Sequence, residues 1–265
     1  MDTCAYLVNS TPKCYYMLPI HFALVRRYAP FIKNLFLATE DPDHPICVSV
    51  AETYGVELIV LHDAESGFLE SRRAALQSLL GRFKYVLPMQ EDFLVERDAN
   101  RSAIKEALMI LNTSKGGIVS ARLTPCPGPK GPVFDEFPSW AGITPYTDTY
   151  GFSFQGTLWS TEACHAWYEA ICERLDEEYP LATTSPQQRR HIEIRINYAE
   201  NPDGQRFFWE FFHERGQHIG WIRAGPWPNA VYLSPWPYRP TAIVQGRLQE
   251  WATELATREG VPMNV

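Results

Sequence analysis

Tyr85-Val86-Leu87-Pro88-Met89 runs without a break into Gln90-Glu91-Asp92. Five largely apolar residues bounded by polar ones have the length of a buried strand and are too few for a helix. Three similar runs precede this one. Ala5-Tyr6-Leu7-Val8 ends in Asn9-Ser10-Thr11-Pro12, Leu35-Phe36-Leu37-Ala38 ends in Thr39-Glu40-Asp41-Pro42, and Val56 to Leu61 ends in His62-Asp63. Between the runs the spacing becomes helical. Leu18, Phe22 and Val25 share one face before Pro30, Ile46 to Tyr54 stops at Gly55 as a C-cap, and Phe68 to Leu80 is amphipathic and stops at Gly81. Strands alternating with helices predict βαβ units, an α/β fold with a mostly parallel central sheet flanked by helices. Such sheets bind ligands beyond the carboxyl ends of their strands. The polar strand ends are therefore the first places to look for function.

Downstream the alternation loosens. Ser102 to Leu111 predicts a helix and Gly117 to Leu123 a strand. Pro125 to Pro145 reads as a long Pro- and Gly-rich loop, a length usually kept for function. Phe152 to Trp159 reads as a strand, followed by a helix from Thr161. Further helices are expected over Pro186 to Asn197, Gln205 to Arg215 and Gly246 to Thr257. The stretch from Trp221 to Pro240 is dense in Trp, Pro and Tyr. With no internal repeat, residues 1–265 are expected to form one domain.

Composition removes several function classes. The net charge of −7 and the lack of any basic tract exclude phosphate-driven nucleic-acid binding. The pairs Arg26-Arg27, Arg72-Arg73 and Arg189-Arg190 read first as solvated helix faces. Six cysteines show no CxxC spacing, which leaves neither a zinc knuckle nor a disulfide framework, and free thiols imply a reducing, cytoplasmic setting. No stretch reads as a signal peptide, and no run of 18 apolar residues provides a transmembrane segment.

Glu91-Asp92 stands where a buried strand meets solvent, followed by the apolar pair Phe93-Leu94. Acids at such a strand end either cap a helix or hold a hard divalent cation against phosphate oxygens. The block Tyr85 to Phe93 resembles the Asp-x-Asp region of GT-A fold glycosyltransferases. Phe152 to Trp159 is similar to a strand of their bacterial and large-virus members, and Tyr238-Arg239-Pro240-Thr241-Ala242-Ile243-Val244-Gln245-Gly246-Arg247-Leu248 resembles another recurring block, in the same order.

The resemblance implies a nucleotide-sugar-dependent glycosyltransferase, with residues 1–98 as the nucleotide-sugar half and 99–265 as the acceptor half. Its donor would be a nucleoside-diphosphate sugar and its acceptor a glycan or glycoconjugate, as in polysaccharide biosynthesis. Gln90 occupies the first acidic position, which leaves Asp92 as the main ligand of Mn²⁺ or Mg²⁺ and Glu91 facing the donor sugar. Arg72 and Arg73 stand where such enzymes contact phosphates. Asn9, Ser10 and Thr11 would meet uracil or ribose, with Asp41 or Asp63 beside them, although Asp63 serves equally well as a helix cap. His213 or His218 would supply a third metal contact, against the commoner reading of a packed or surface histidine.

An inverting transfer needs a general base on the acceptor hydroxyl. Glu193, flanked by Ile192, Ile194 and Ile196, is the first candidate, and a surface ion pair with Arg190 or Arg195 is its plain alternative. Asp148 is the second candidate base. Trp140, Trp159, Trp227 and Trp236 are candidates for stacking on sugar faces, the last two as lining of an exposed groove. Two rivals remain open. A nucleotidyltransferase usually carries a Gly-rich loop near its first strand, and Asn9-Ser10-Thr11-Pro12 has no glycine. A non-catalytic carbohydrate-binding protein would account for the aromatics without needing the acids.

Overall fold

β1 (Cys4–Asn9) is buried from Cys4 to Val8 and pairs in parallel on both sides, with β2 (Asn34–Thr39) and with β4 (Tyr85–Gln90). β3 (Val56–Val60) extends the parallel set beyond β2. The computed structural model describes residues 2–62, 68–113, 117–124, 131–143, 151–180, 182–185, 187–188, 191, 202–223 and 234–261. A strand with hydrogen-bonded neighbours on both edges and helices over its faces must be apolar throughout. That is why Ala5 to Val8 shows no alternation.

Three helices make the parallel connections. α1 (Leu18–Tyr28) carries Leu18, Phe22 and Val25 into the core. α2 (Pro45–Tyr54) begins with Pro45 at its first position, and the His44 side chain accepts the Ile46 N–H at 3.2 Å. It ends at Gly55, whose φ of 61° is the left-handed conformation glycine adopts without penalty. α3 (Phe68–Gln77) leads towards β4.

Beyond β4 the sheet reverses. β9 (Thr157–Ser160) lies antiparallel between β4 and β6 (Ile118–Arg122). Then come β10 (His218–Ile222), parallel to β6, and the antiparallel hairpin β8 (Phe137–Gly142) and β7 (Val133–Phe134). The complete order is β3-β2-β1-β4-β9-β6-β10-β8-β7. β9 pairs with β4 only at Tyr85 and Val86 and then continues along β6. Pro88, with no N–H to give, falls beyond that pairing, where a proline costs the ladder nothing. The two strands therefore part before Gln90, and the gap between them becomes the cleft described below.

α4 (Arg101–Thr113), α5 (Thr161–Glu178) and α6 (Pro202–His213) cover the second half. α5 opens with the Ser160 side chain accepting the Ala163 N–H. The faces of α5 and α6 are fused by rings: Trp167 meets Phe208 edge-on at 4.9 Å, and Phe208 and Phe212 meet at 4.8 Å. The chain closes with two short antiparallel pairs, β5 (Leu94–Val95) with β11 (Tyr238–Arg239) and β12 (Ile243–Val244) with β13 (Arg247–Leu248), and with α7 (Glu250–Glu259). Leu94, Ala242, Leu255 and Ala256 form a second small core with Met17, Ile20 and Leu24. No helix among the described residues is long and apolar enough to cross a membrane.

Several expectations need correction. Only the end of Phe152–Trp159 is strand. Residues 151–156 bend as Phe152 turns into the aromatic core, with the Phe154 ring edge-on to it at 5.1 Å and Gly151 packed against Trp209. The Pro- and Gly-rich stretch from Pro125 holds the β7–β8 hairpin, anchored by buried Trp140, whose indole N–H donates to Glu106 at 3.3 Å. Trp236 lines no exposed groove: it is fully buried with its ring 5.4 Å from that of Tyr6. Trp159 is buried as well, and Trp227 lies outside the described residues, as does most of Pro186–Asn197.

The bend is tightly packed at Gly151. A Cβ there would stand 2.6 Å from the Trp209 ring, itself buried. Gly151→Ala is expected to cost about 1–3 kcal/mol of overpacking, read as a lower urea midpoint at unchanged slope. An unaltered midpoint would show that the ring has room to move.

Candidate functional site

The parallel register sets Asn9 beside Gln90 and hangs the Ser10 N–H on the Ala38 carbonyl at 3.1 Å. Above these strand ends lies an open cleft. Its floor is Asn9, Pro88, Met89 and Gln90, one rim is residues 152–155, and its side walls include Arg72 from α3 and Tyr168 from α5.

The acidic segment beside the cleft is a turn, closed by the Phe93 N–H on the Gln90 carbonyl at 3.1 Å. Its backbone is gripped from behind by His21 of α1, whose Nδ1 is 3.0 Å from the Glu91 carbonyl oxygen. A carbonyl only accepts, so Nδ1 carries the proton and Nε2 accepts from the Tyr6 hydroxyl at 2.8 Å. Burial pushes the His21 pKa down to about 4, with the Glu91 bond opposing, so the imidazole is neutral at physiological pH.

Glu91 and Asp92 are held differently. Burial raises the Glu91 carboxyl to about 7; its backbone hydrogen bond, the Cys14 thiol and the Arg72 cation pull it down, while Asp92 pushes it up. The Cys14 thiol is in turn driven up to about 12 by burial and by Glu91. Asp92 is also raised by burial, opposed by the Ile243 N–H that reaches its Oδ2 at 3.4 Å. Its carbonyl takes the Ala242 N–H at 3.0 Å. Asp92 thus ties the acidic turn to the C-terminal segment.

Arg72 has different surroundings. Its guanidinium carbon sits 3.3 Å above the Phe68 ring and 5.5 Å from the Phe154 ring, and one N–H donates to the Phe68 carbonyl at 3.1 Å. Burial lowers its pKa, while Tyr168 and Glu91 favour the charge. Among the described residues no carboxylate forms an ion pair with it.

The rim residues are positioned by Tyr238. Its hydroxyl accepts the Gly156 N–H at 3.1 Å and the Thr124 hydroxyl at 3.1 Å, donates to the Gln155 side chain, and its ring stacks on Phe93 at 5.2 Å. Ser153 accepts from Gln155 N–H at 3.0 Å and from Arg122 at 3.3 Å.

Of the residues expected from sequence, the structure brings Asn9, Arg72, Gln90, Glu91 and Asp92 to one end of the sheet. Asn9 also braces α3 through the Ser71 carbonyl at 3.3 Å. Ser10 is buried with its hydroxyl unpartnered, while Thr11 and Asp41 are exposed at the ends of β1 and β2. Arg73 departs from expectation. Successive helical residues point about 100° apart, and Arg73 stands near His165 of α5, whose pKa is lowered chiefly by burial and also by that arginine. His213 is a correction too. It is exposed at the end of α6, which feeds β10 at its start, and His218 N–H bonds to Gly117 before β6. β6 is parallel to β4, so both histidines lie at the sheet edge opposite Asp92. Asp63, Asp148 and Glu193 lie outside the described residues. Tyr168 and His21 were not singled out from sequence, and Gln155 and Tyr238 stood there only inside resembling blocks with no role of their own; nothing in their local spacing separates them from ordinary core and loop residues.

A Mn²⁺ or Mg²⁺ ion would find here a neutral Gln90, a Glu91 carboxyl already engaged by Cys14 beside Arg72, and an Asp92 with Oδ2 committed to Ile243. Among the described residues, no group of three or more His, Cys, Asp and Glu side chains stands ready for a metal. Among the described residues, this donor set does not fit a resident cation.

No family model and no curated protein matches the chain. Solved structures similar to it include S. aureus TarS in complex with UDP (12% identity, 84% of this chain and 58% of that one, TM-score 0.45). They also include a cytidylyltransferase from Leptospira borgpetersenii serovar Hardjo-bovis (10% identity, 100% and 98%, TM-score 0.43). A third is 4-diphosphocytidyl-2C-methyl-D-erythritol synthase from Anaerococcus prevotii DSM 20548 (15% identity, 80% and 98%, TM-score 0.41). At such identities and scores these likenesses carry no functional weight, and the site has to speak for itself.

Glu91 gives the site a pH signature. With its folded pKa raised, the native state keeps a proton that the unfolded chain releases near pH 4.5. Its contribution is therefore neutral below that pH, and native stability falls as pH climbs from about 4.5 to about 7. Glu91→Gln is expected to match the parent at pH 4 and exceed it at pH 8 by on the order of 2 kcal/mol, discounted for the solvent that still reaches the side chain. Urea titrations at the two pH values measure this, and equal differences at both would show that Glu91 titrates as an ordinary carboxyl.

Proposed function

We propose that this protein transfers a glycosyl group from a nucleoside-diphosphate sugar to a hydroxyl of a glycan or glycoconjugate. One observation carries the reading. A guanidinium with no ion pair among the described residues and the amide side chains of Asn9, Gln90 and Gln155 stand together in a cleft at the carboxyl ends of β1 and β4, beside the turn that carries Glu91. A guanidinium suits phosphate oxygens, amides suit sugar and ribose hydroxyls, and a cleft at parallel strand ends is where such sheets take nucleotides. The order of sequence blocks resembling GT-A enzymes supports the same reading.

In this arrangement Asn9, Ser10 and Thr11, with Asp41 and Asp63, take the base and ribose across the ends of the first three strands. Arg72, Asn9 and Gln90 take the diphosphate, and Glu91 faces the donor sugar. The residue 99–265 half receives the acceptor beside Ser153 and Gln155. The transfer breaks the bond from the anomeric carbon to the phosphate oxygen, and both electrons stay on that oxygen. The acceptor oxygen bonds to the anomeric carbon as its proton passes to a carboxylate, for which Glu193 is the first assignment and Asp148 the second. Attack opposite the leaving diphosphate inverts the sugar.

The rival nucleotidyltransferase would wrap a triphosphate in the backbone amides of a flexible glycine loop. Here β1 runs through Asn9-Ser10-Thr11 into a 3-10 turn that starts at Pro12, a residue without an N–H. That favours a diphosphate donor.

Products separate the two. Incubation with UDP-, GDP- and CDP-sugars is expected to release a nucleoside diphosphate; release of pyrophosphate from CTP or UTP with a sugar phosphate would overturn the proposal. Glu193→Gln is expected to retain the rise in melting temperature given by the nucleotide while turnover drops about 10²–10⁴-fold. Turnover at the parent rate would remove Glu193 from the base role.

A further inference from the structure

Resting on the donor reading above, we infer that the donor's diphosphate is held without a resident divalent cation, by the Arg72 guanidinium seated on the Phe68–Phe154 aromatic wall of the cleft.

The site supports this in two halves. The first is what the acids are doing. Gln90 offers no charge, the Glu91 carboxyl faces the Cys14 thiol and the Arg72 cation, and Asp92 meets the C-terminal segment, its Oδ2 taking the Ile243 N–H and its backbone carbonyl the Ala242 N–H. Both histidines expected to complete a metal site stand at the far edge of the sheet.

The second half is how Arg72 is held. Arginine has five N–H donors in a planar fork, and among the described residues one is used, on the Phe68 carbonyl. The Phe68 ring 3.3 Å below fixes the plane of the fork and leaves its edge for a pair of oxygens. Among the described residues no carboxylate forms an ion pair with Arg72, although Glu91 stands near enough to favour its charge, and the apolar wall keeps water from one side. A cation desolvated in this way attracts an incoming dianion more strongly than one in bulk water. Asn9 and Gln90 sit across the same floor to receive the remaining oxygens.

Isothermal titration of the full chain with UDP, GDP and CDP, each in EDTA and each with Mg²⁺ or Mn²⁺, tests this. One nucleoside diphosphate is expected to bind in EDTA with an affinity within about threefold of its value with metal, since the ligand's charge is met by Arg72. Arg72→Gln is expected to weaken that diphosphate about 10–100-fold. Its urea midpoint and its affinity for the matching nucleoside, which has no phosphate to meet Arg72, are expected to stay unchanged, showing that the variant is folded. Arg72→Lys, which keeps the charge without the fork, is expected to recover part of the loss. Binding that needs Mg²⁺ or Mn²⁺ and ignores Arg72→Gln overturns this inference and leaves the glycosyl-transfer reading standing. Absence of binding by every nucleotide in every buffer overturns that reading, and this inference with it.

Discussion

The parallel pairing of β1 between β2 and β4 is the constraint on which the remainder of the structure depends. It makes Ala5 to Val8 inaccessible to water on every side, which demands an unbroken apolar run. It also brings the carboxyl ends of strands far apart in sequence to one edge, with Asn9 and Gln90 as direct partners. Everything polar at that edge is arranged relative to those two residues.

The acidic turn after β4 is held from two sides. Behind it, the Tyr6–His21 pair fixes the Glu91 carbonyl through a neutral imidazole, a contact insensitive to pH in the physiological range. Beside it, Asp92 anchors the segment that leads into α7. That helix is itself clamped to α1 by Glu259, which meets Arg27, Tyr28 and Arg258. Burial would push Glu259 up, but the hydrogen bonds from Arg258, Tyr28 and Arg27 hold it below the usual carboxylate range. The C-terminal segment thus braces the turn that carries Glu91, and through Tyr238 it also positions Gln155 and Gly156 at the rim. Removing polar contacts at a distance from the cleft therefore acts on the cleft.

The two halves of the chain use different physics. The first is held by regular strand pairing, which leaves strand ends free for ligands. The second is held by rings: Phe152, Trp159, Trp167, Phe208 and Phe212 interlock under the bend at residues 151–156. Aromatic packing with centroids near 5 Å tolerates little movement, so the rim of the cleft is stiff where Phe152 enters the core.

Sequence alone determined the first half of the fold, because buried parallel strands must be apolar runs and helices must show a face; each of the first four strands and first three helices stands where its pattern put it. The acids after β4 were legible for the same reason, as polar residues at the end of such an element, whereas Arg72 was marked only by the resemblance and by spacing alone read as a solvated helix face. The hairpin in the Pro-rich stretch, the bend at Phe152 and the burial of Trp236 were not, because they follow from packing against residues tens of positions away. Which arginine of Arg72-Arg73 faces the cleft, that His213 lies at the opposite edge, and that Asp92 serves the C-terminal segment were decided only by tertiary structure. Direction in space is set by the neighbours a side chain meets, and a one-dimensional pattern records periodicity without those neighbours.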